Sequence, residues 1–268
     1  MPLLPVADRQ IRYEDRGSGE PVVMIMGSAA RGQAWHLHQV PCLTAAGFRV
    51  ITFDNRGIGP ESPVAPFTID DLTRDTAGLI EELGLGECRV VGTSMGAYVA
   101  QELALSHPHL VRQVVLMASR ARTDTIRAAL SRGEAELLDS GVELPVSYRA
   151  AVRAMQTLSP TTLDDHRAVR DWLDLFELAS EGGSGIRAQM ALESMPDRRT
   201  AYGSISAPCH VLSFADDLIT SPAQGRELAA SIPGATYEVI PDAGHYGYLE
   251  QPEAVNRSLL AFFATTGS

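Results

Sequence analysis

The stretch that most constrains the fold is Val90-Val91-Gly92-Thr93-Ser94-Met95-Gly96, an apolar strand end running into Gly-x-Ser-x-Gly and then a helical segment from Ala97 to Ser106. A sharp strand-to-helix turn forces its central residue into a strained backbone conformation and holds that side chain clear of the sheet. Gly92 and Gly96 suit such a turn, because a side chain at either place would meet neighbouring backbone. Ser94 is therefore expected at a helix N-terminus, where the Met95 N–H and the positive end of the helix dipole face any oxyanion formed on a substrate. An ordinary glycine-rich turn would use the same letters, but a buried strand before and a helix after favour the catalytic reading.

Around this turn, strand-like and helix-like runs alternate. Ile11 to Glu14 alternates in polarity, Arg16-Gly17-Ser18-Gly19 reads as a turn, and Pro21 to Met26 is a continuous apolar run of the kind a strand buried on both faces shows. Ala34 to Ala46 is helical in pattern with Gly47 as its stop, and Phe48 to Phe53 is another strand, closed by the turn Asp54-Asn55-Arg56-Gly57. Thr68 or Asp70 caps a helix whose apolar face is Leu72, Leu79, Ile80 and Leu83, ending at Gly84. With Val111 to Met117 as the strand after the serine helix, the order predicts an α/β fold: a mostly parallel sheet with helices on both faces.

From about residue 120 to 200 strand runs vanish, and amphipathic helical pieces follow one another around Leu130, Met155, Trp172 and Met190. This is the pattern of a helical lid inserted into a core formed by residues 1–119 and 201–268. Pro145, Pro160 and Gly182-Gly183-Ser184-Gly185 divide the insertion, the last being the stretch expected to move most. Alternation resumes with a strand His210 to Phe214, a helix Pro222 to Ser231, a strand Thr236 to Ile240 and a helix Pro252 to Phe263.

A net charge of −11 argues against a nucleic-acid partner, which needs a basic stripe to neutralise phosphates. The 22 basic residues are all arginine, which bears on the source genome rather than on chemistry. Cys42, Cys88 and Cys209 are too few and too widely spaced for a disulfide framework, the N-terminal residues lack the pattern of a signal peptide, and no run is long enough to span a membrane. A cytoplasmic protein acting on a small molecule is the expectation, with no membrane and no nucleic acid involved.

A serine hydroxyl needs a base to take its proton, and the base needs something to orient it. Of the seven histidines, His245 follows a glycine just after a late strand and precedes a helix start, the placement such a base requires. Strand ends of a parallel sheet converge on one edge, so the loops after Phe214 and Ile240 come to the same place as Ser94. His36 and His38 lack the carboxylate or thiolate support of a metal pair, and no metal or cofactor is expected. His107 and His109 sit at a helix end, where they serve structure. For the orienting acid, Asp216, Asp217 and Asp124 all remain open on position alone.

Nearly the whole chain resembles the α/β-hydrolase family. The resemblance is carried by Met26-Gly27-Ser28, Phe53 to Gly57, Gly92 to Gly96, Phe214-Ala215-Asp216-Asp217, Gly244-His245 and Leu249-Glu250-Gln251-Pro252. In the family the loop after the penultimate strand reads Gly-x-x-Asp. Phe214 replaces that glycine here, and the count then selects Asp217 as the acid of a Ser94, Asp217, His245 triad. The family commonly has His-Gly where this chain has Met26-Gly27, and its second oxyanion donor is the next backbone N–H, which implies Ser28 beside Met95. The turn from Asp54 to Gly57 is implied to brace the loops beneath the site rather than clamp a substrate. Trp172 and Phe176 are the insertion side chains expected to line the substrate pocket.

These features together predict a serine-dependent hydrolase acting on a small to medium, largely apolar ester, thioester or lactone through an acyl-enzyme. Aspartate-nucleophile chemistry is disfavoured by the serine at the turn. The arginine- and alanine-rich composition and the run Gly96 to Ala104 are similar to hydrolase-like enzymes of actinobacterial secondary metabolism, some of which eliminate an acyl group such as acetate from a tetronate-like ring. Elimination is thus one rival. A ligand receptor built on the same fold is another.

Overall fold

A computed structural model describes residues 2–59, 66–178, 184–192 and 194–265, without the side chains of Leu138 and Ser184. The chain opens with the strands β1 (Leu3–Val6), β2 (Arg9–Gly17) and β3 (Glu20–Ile25). A 3-10 segment Gly32–Leu37 and helix α1 (Gln39–Ala45) lead to β4 (Phe48–Phe53), α2 (Ile69–Glu82), β5 (Cys88–Thr93), α3 (Met95–Ser106) and β6 (Val111–Met117). The eight strands of the sheet run in the order β1-β2-β4-β3-β5-β6-β7-β8, with β7 (Cys209–Phe214) and β8 (Thr236–Ile240) at the far edge. β1 and β2 pair antiparallel, and every pairing from β4 to β8 is parallel.

The parallel strands read as continuous apolar runs because both faces are covered. On one face α2 and α3 pack on Val23, Ile25, Val90 and Val114, and on the other α1 meets Val22, Met24, Val91 and Val115. Consecutive side chains of one strand alternate between these two cores. Helix α3 is buried from Met95 through Ala104, which is why it is apolar all round rather than striped.

One expected helix is divided. Residues 34–46 form not one helix but the 3-10 segment and α1, with His38 at φ −140° between them. The reason is Pro41: in an unbroken α-helix its ring would clash with the carbonyl four residues earlier, so the chain restarts at Gln39 and takes Pro41 within the first turn. Helix α2 begins as expected at Thr68, whose hydroxyl accepts the Asp71 N–H while the Asp71 carboxylate accepts the Thr68 N–H.

Between β6 and β7 the described residues form α4 (Thr125–Ser140), α5 (Val146–Thr157), α6 (Pro160–Asp164), α7 (His166–Leu178), α8 (Ser184–Ala191) and α9 (Arg199–Tyr202), with no strand among them. Pro145 and Pro160 each stand at the start of a helix, where a missing N–H costs nothing. Gly182 and Gly183 lie outside the described residues. Gly185 belongs to α8, and its backbone rests on that of Gly57 so closely that a Cβ on Gly57 would stand 2.6 Å from the Gly185 carbonyl oxygen. A division at residue 200 falls inside α9, whose Tyr202 is fully buried in the sheet core and donates to Glu102 of α3 at 2.9 Å. The chain ends with α10 (Pro222–Ser231), α11 (Gly247–Glu250) and α12 (Pro252–Phe263), and none of the described helices is long and apolar enough to cross a membrane.

Candidate active site

Ser94 sits between β5 and α3 with φ 53° and ψ −121°, a combination that favours glycine and strains any residue with a Cβ. Two contacts hold it there: the Ser94 N–H donates to Met117 O at 3.0 Å, and its carbonyl accepts from Ala97 and Tyr98. The flanking glycines are needed for the reason the sequence suggested. A Cβ on Gly92 would lie 2.7 Å from Ala97 Cα, and one on Gly96 would lie 2.6 Å from the Ile25 carbonyl carbon. β3 and β5 are neighbours with Ile25 opposite Gly92, so the loop after β3 starts beside the serine; a Cβ on Gly27 would stand 3.3 Å from Ser94 Cβ.

The loop after β8 brings His245 to this point, with Nε2 3.0 Å from Ser94 Oγ and Nδ1 2.8 Å from Asp217 Oδ2. A proton on Nδ1, donated to the carboxylate, leaves Nε2 as the acceptor facing the serine hydroxyl. Asp217 is buried and fully engaged: Oδ1 accepts the Ile219 and Thr220 N–H groups at 2.8 and 2.9 Å, and Oδ2 also accepts the Thr220 hydroxyl at 2.7 Å. Burial opposes ionisation of this carboxyl, but His245 and the Thr220 hydrogen bonds outweigh it and hold the group below the ordinary carboxylate range.

The geometry separates the three candidate acids. Asp216 gives its backbone N–H to Ala243 O, and its carboxylate has no bond to His245. Asp124 caps α4, its Oδ1 accepting the Arg127 N–H and its Oδ2 the Gln224 amide, each at 2.7 Å. Asp217 alone of the three reaches the imidazole.

The Met95 N–H opens α3, where the first turn has no intrahelical acceptor. Ser28 follows Gly27 on the loop beside Ser94, and its Oγ is buried with no partner among the described residues. Next to it Ala29 has φ 58°, a left-handed conformation that costs an alanine about 1–2 kcal/mol. Met26 takes the Tyr248 hydroxyl on its sulfur at 3.7 Å and accepts the Asn55 amide on its carbonyl at 2.7 Å. The turn after β4 accordingly braces this loop. Arg56 is not among the residues that wall the cavity and binds Asp75 through Nε and Nη2.

The cavity at the serine is walled by Ser94, Met95 and Tyr98 from the core and by Arg120, Leu192 and Met195 from the residues between β6 and β7. It measures about 30 Å³, room for a water or two rather than an ester. Arg120 is buried, and burial followed by the nearby Arg127 pushes its pKa down to about 10, so it stays a cation at neutral pH. Trp172 and Phe176 do not line this cavity, contrary to expectation. They pack with Ala150, Ala154 and Leu158 in the α5–α7 hairpin, where Trp172 stacks on Tyr246 at 5.9 Å and Arg153 covers Phe176 at 4.9 Å. An amphipathic helix must cover its own hairpin partner first, and these rings do so.

Three contributors have no role assigned from the sequence. Thr220 is one, although a hydroxyl three residues after an acid in a turn is a usable signal. Glu250 is another: its carboxylate accepts the Gly244 N–H at 2.7 Å and the Ser159 N–H and hydroxyl at 2.8 Å, joining the His245 loop to the segment before α6. The third, Gln189, lies on α8 and gave no signal at all. Among the described residues no cluster of three or more histidine, cysteine, aspartate or glutamate side chains is arranged to hold a metal.

Comparison with known proteins identifies the family. The model of the alpha/beta hydrolase family matches residues 22–258. The chain is 48% identical over 256 residues to the putative non-heme bromoperoxidase BpoC of Mycobacterium tuberculosis, covering 95% of this chain and 98% of that one. The crystal structure of that protein superposes with a TM-score of 0.93 over 96% of this chain and 97% of its own. A 3-oxoadipate enol-lactonase of Acinetobacter baylyi is 30% identical over 96% of this chain and 94% of its own. These relatives support a hydrolase.

Proposed function

We propose that this chain, which belongs to the alpha/beta hydrolase family, is a serine-dependent hydrolase that opens a small to medium, largely apolar ester, thioester or lactone through an acyl-enzyme. The observation that carries the reading is the continuous hydrogen-bonded line from Ser94 Oγ through His245 to Asp217, at 3.0 and 2.8 Å, ending on a strained turn. Ser94 Oγ attacks the carbonyl carbon while His245 Nε2 takes its proton. The oxyanion that forms is met by the Met95 and Ser28 backbone N–H groups. The imidazolium, steadied by Asp217, returns the proton to the leaving alcohol or thiol as the acyl bond breaks. A water deprotonated by His245 then attacks acyl-Ser94, releasing the acid and the free serine. No step calls for a cofactor, and the setting that fits is a cytosolic enzyme acting alone on a small molecule.

In this reading residues 120–200 act as a lid over a core of 1–119 and 201–268. Leu192 and Met195 wall the cavity at the serine, where the lid meets the substrate. Arg120 on the wall favours an acyl group that is not apolar throughout.

A second reading is favoured by the name of the 48% identical relative, a putative non-heme bromoperoxidase. Hydrogen peroxide attacking acyl-Ser94 in place of water would give a peracid and free serine. The peracid then oxidises bromide to hypobromous acid and is itself reduced to the carboxylate.

The experiment is a panel of acyl esters, thioesters and lactones in oxygen-18 water, with wild type and Ser94→Ala, repeated with peroxide and bromide. Label in the released acid, with the alcohol as co-product and no turnover by the variant, supports acyl-enzyme hydrolysis. An unlabelled acid with an alkene refutes it and makes His245 the base of an elimination. Bromination above the rate of hydrolysis favours the second reading.

A further inference from the structure

We propose that Gln189, on α8, is a positioning residue for the oxyanion loop, fixing where the Ser28 N–H stands relative to Ser94. The loop from Met26 to Gly32 is tied at three points. Asn55 Nδ2 donates to Met26 O at 2.7 Å, the Gly32 N–H donates to Asp54 Oδ1 at 3.0 Å, and the Ala29 N–H donates to Gln189 Oε1 at 2.7 Å. The first two ties come from the turn after β4. The third reaches across 160 residues from the segment between β6 and β7.

The tie to Gln189 matters most for the geometry, because it acts on the peptide that joins Ser28 to Ala29. Ala29 has φ 58°, a conformation an alanine leaves unless its surroundings hold it. With the Ala29 N–H held by Gln189, the Ser28–Ala29 peptide cannot rotate. Without that acceptor the loop relaxes toward ordinary φ values and carries the neighbouring Ser28 N–H with it.

The Gln189 amide is itself fully determined. Its Nε2 donates to Arg56 O at 2.7 Å, so its two ends read one acceptor and one donor on two different loops, and the side chain is 0% exposed. Helix α8 cannot slide to loosen the pair, because Gly185 and Gly57 touch backbone to backbone one turn away. Seating of α8 and the shape of the oxyanion loop are therefore coupled: when α8 lifts, the Ala29 N–H and the Arg56 carbonyl both lose their partner.

The inference rests on the acyl-enzyme reading above, since the loop matters only if an oxyanion forms. The test uses the full chain with p-nitrophenyl acetate and a fluorophosphonate probe. Gln189→Met keeps length and volume and removes the amide. It should lower kcat by roughly 10- to 100-fold, below the ~10²–10³-fold ceiling for losing one oxyanion donor, with KM within about threefold and phosphonylation of Ser94 slowed by the same factor as kcat.

Gln189→Glu provides a readout that a purely structural role would not move. A protonated carboxyl reproduces the amide, its C=O accepting from Ala29 and its O–H donating to Arg56 O, whereas a carboxylate faces the Arg56 carbonyl oxygen with nothing to donate. The ratio of variant to wild-type kcat should therefore rise as pH falls. A kcat for Gln189→Met within twofold of wild type overturns the proposal, as does a raised KM with kcat unchanged. Should Gln189→Met fail to fold, a pH-independent ratio for Gln189→Glu overturns it alone. A wild type that the probe does not label at Ser94 sinks the acyl-enzyme reading instead, and the two failures are thereby distinct.

Discussion

Replacing Ser94 by glycine and by alanine should give two proteins equally dead in turnover but different in stability. At φ 53° and ψ −121° a residue with a Cβ is strained by about 1–3 kcal/mol. Alanine keeps the Cβ and therefore the strain, whereas glycine relieves it. Against the relief stands the greater freedom of glycine in the unfolded chain, a cost of roughly 0.5–1 kcal/mol. Both variants lose the hydroxyl and its bond to His245, so that loss cancels between them. The difference left is about 1 kcal/mol in favour of Ser94→Gly. For a domain of this size it corresponds to a melting temperature about 2–4 °C above that of Ser94→Ala. Thermal unfolding followed by circular dichroism, with ester turnover on the same samples, measures both halves. A glycine variant that melts at or below the alanine variant would refute the claim that the turn stores strain to present its serine.

Asp217→Asn should lower kcat by about 10³–10⁴-fold, since an amide at this position favours the wrong imidazole tautomer, while Asp216→Asn stays within a few-fold; the two kcat values measured side by side decide the assignment. Thr220→Val removes the 2.7 Å hydroxyl bond to Asp217 Oδ2 and leaves the backbone donors, so kcat should fall by roughly 10-fold, and an unchanged rate would show that the hydroxyl does not orient the acid. His210 lies elsewhere on β7, its Nδ1 2.7 Å from Thr236 Oγ1 and its Nε2 2.9 Å from Ser258 Oγ, with Glu238 at 3.4 Å and the Phe262 ring stacked on it. Burial holds its pKa below the ordinary value against the opposing pull of Glu238, so below about pH 6.5 the unfolded chain binds more protons than the native one. Stability should fall as pH drops from there toward the folded value, and urea midpoints across that range should be flatter for His210→Gln.

The sheet and its helices were legible because parallel strands buried on both faces leave continuous apolar runs, and Gly92-Thr93-Ser94-Met95-Gly96 has few structural meanings. β6, β8, α10 and α12 match the sequence reading residue for residue. β1 escaped notice because Leu3-Leu4-Pro5-Val6 is short and contains a proline, which an edge strand tolerates and a sequence pattern does not suggest. The break near His38 was missed because hydrophobic spacing continues through it, while Pro41 acts through sterics. For the site, strand ends located Ser94 and His245 directly, but choosing Asp217 needed a family resemblance where the hydrogen bonds decide at once. Trp172 and Phe176 were misplaced for a general reason: helical periodicity says which face is buried and not what buries it. Gln189 was invisible because an isolated glutamine on a helix reads as solvent-facing, and only the fold brings Ala29 and Arg56 to it.

The central claim is that an acyl group passes through Ser94. Mixing the enzyme with p-nitrophenyl acetate, following the first turnover, quenching in acid within the burst and mapping the peptides by mass tests it most directly. A burst of p-nitrophenol stoichiometric with enzyme and an acetyl group on Ser94 are the expected results. Turnover with no acyl group on Ser94, or with the acyl group on another residue, would contradict it.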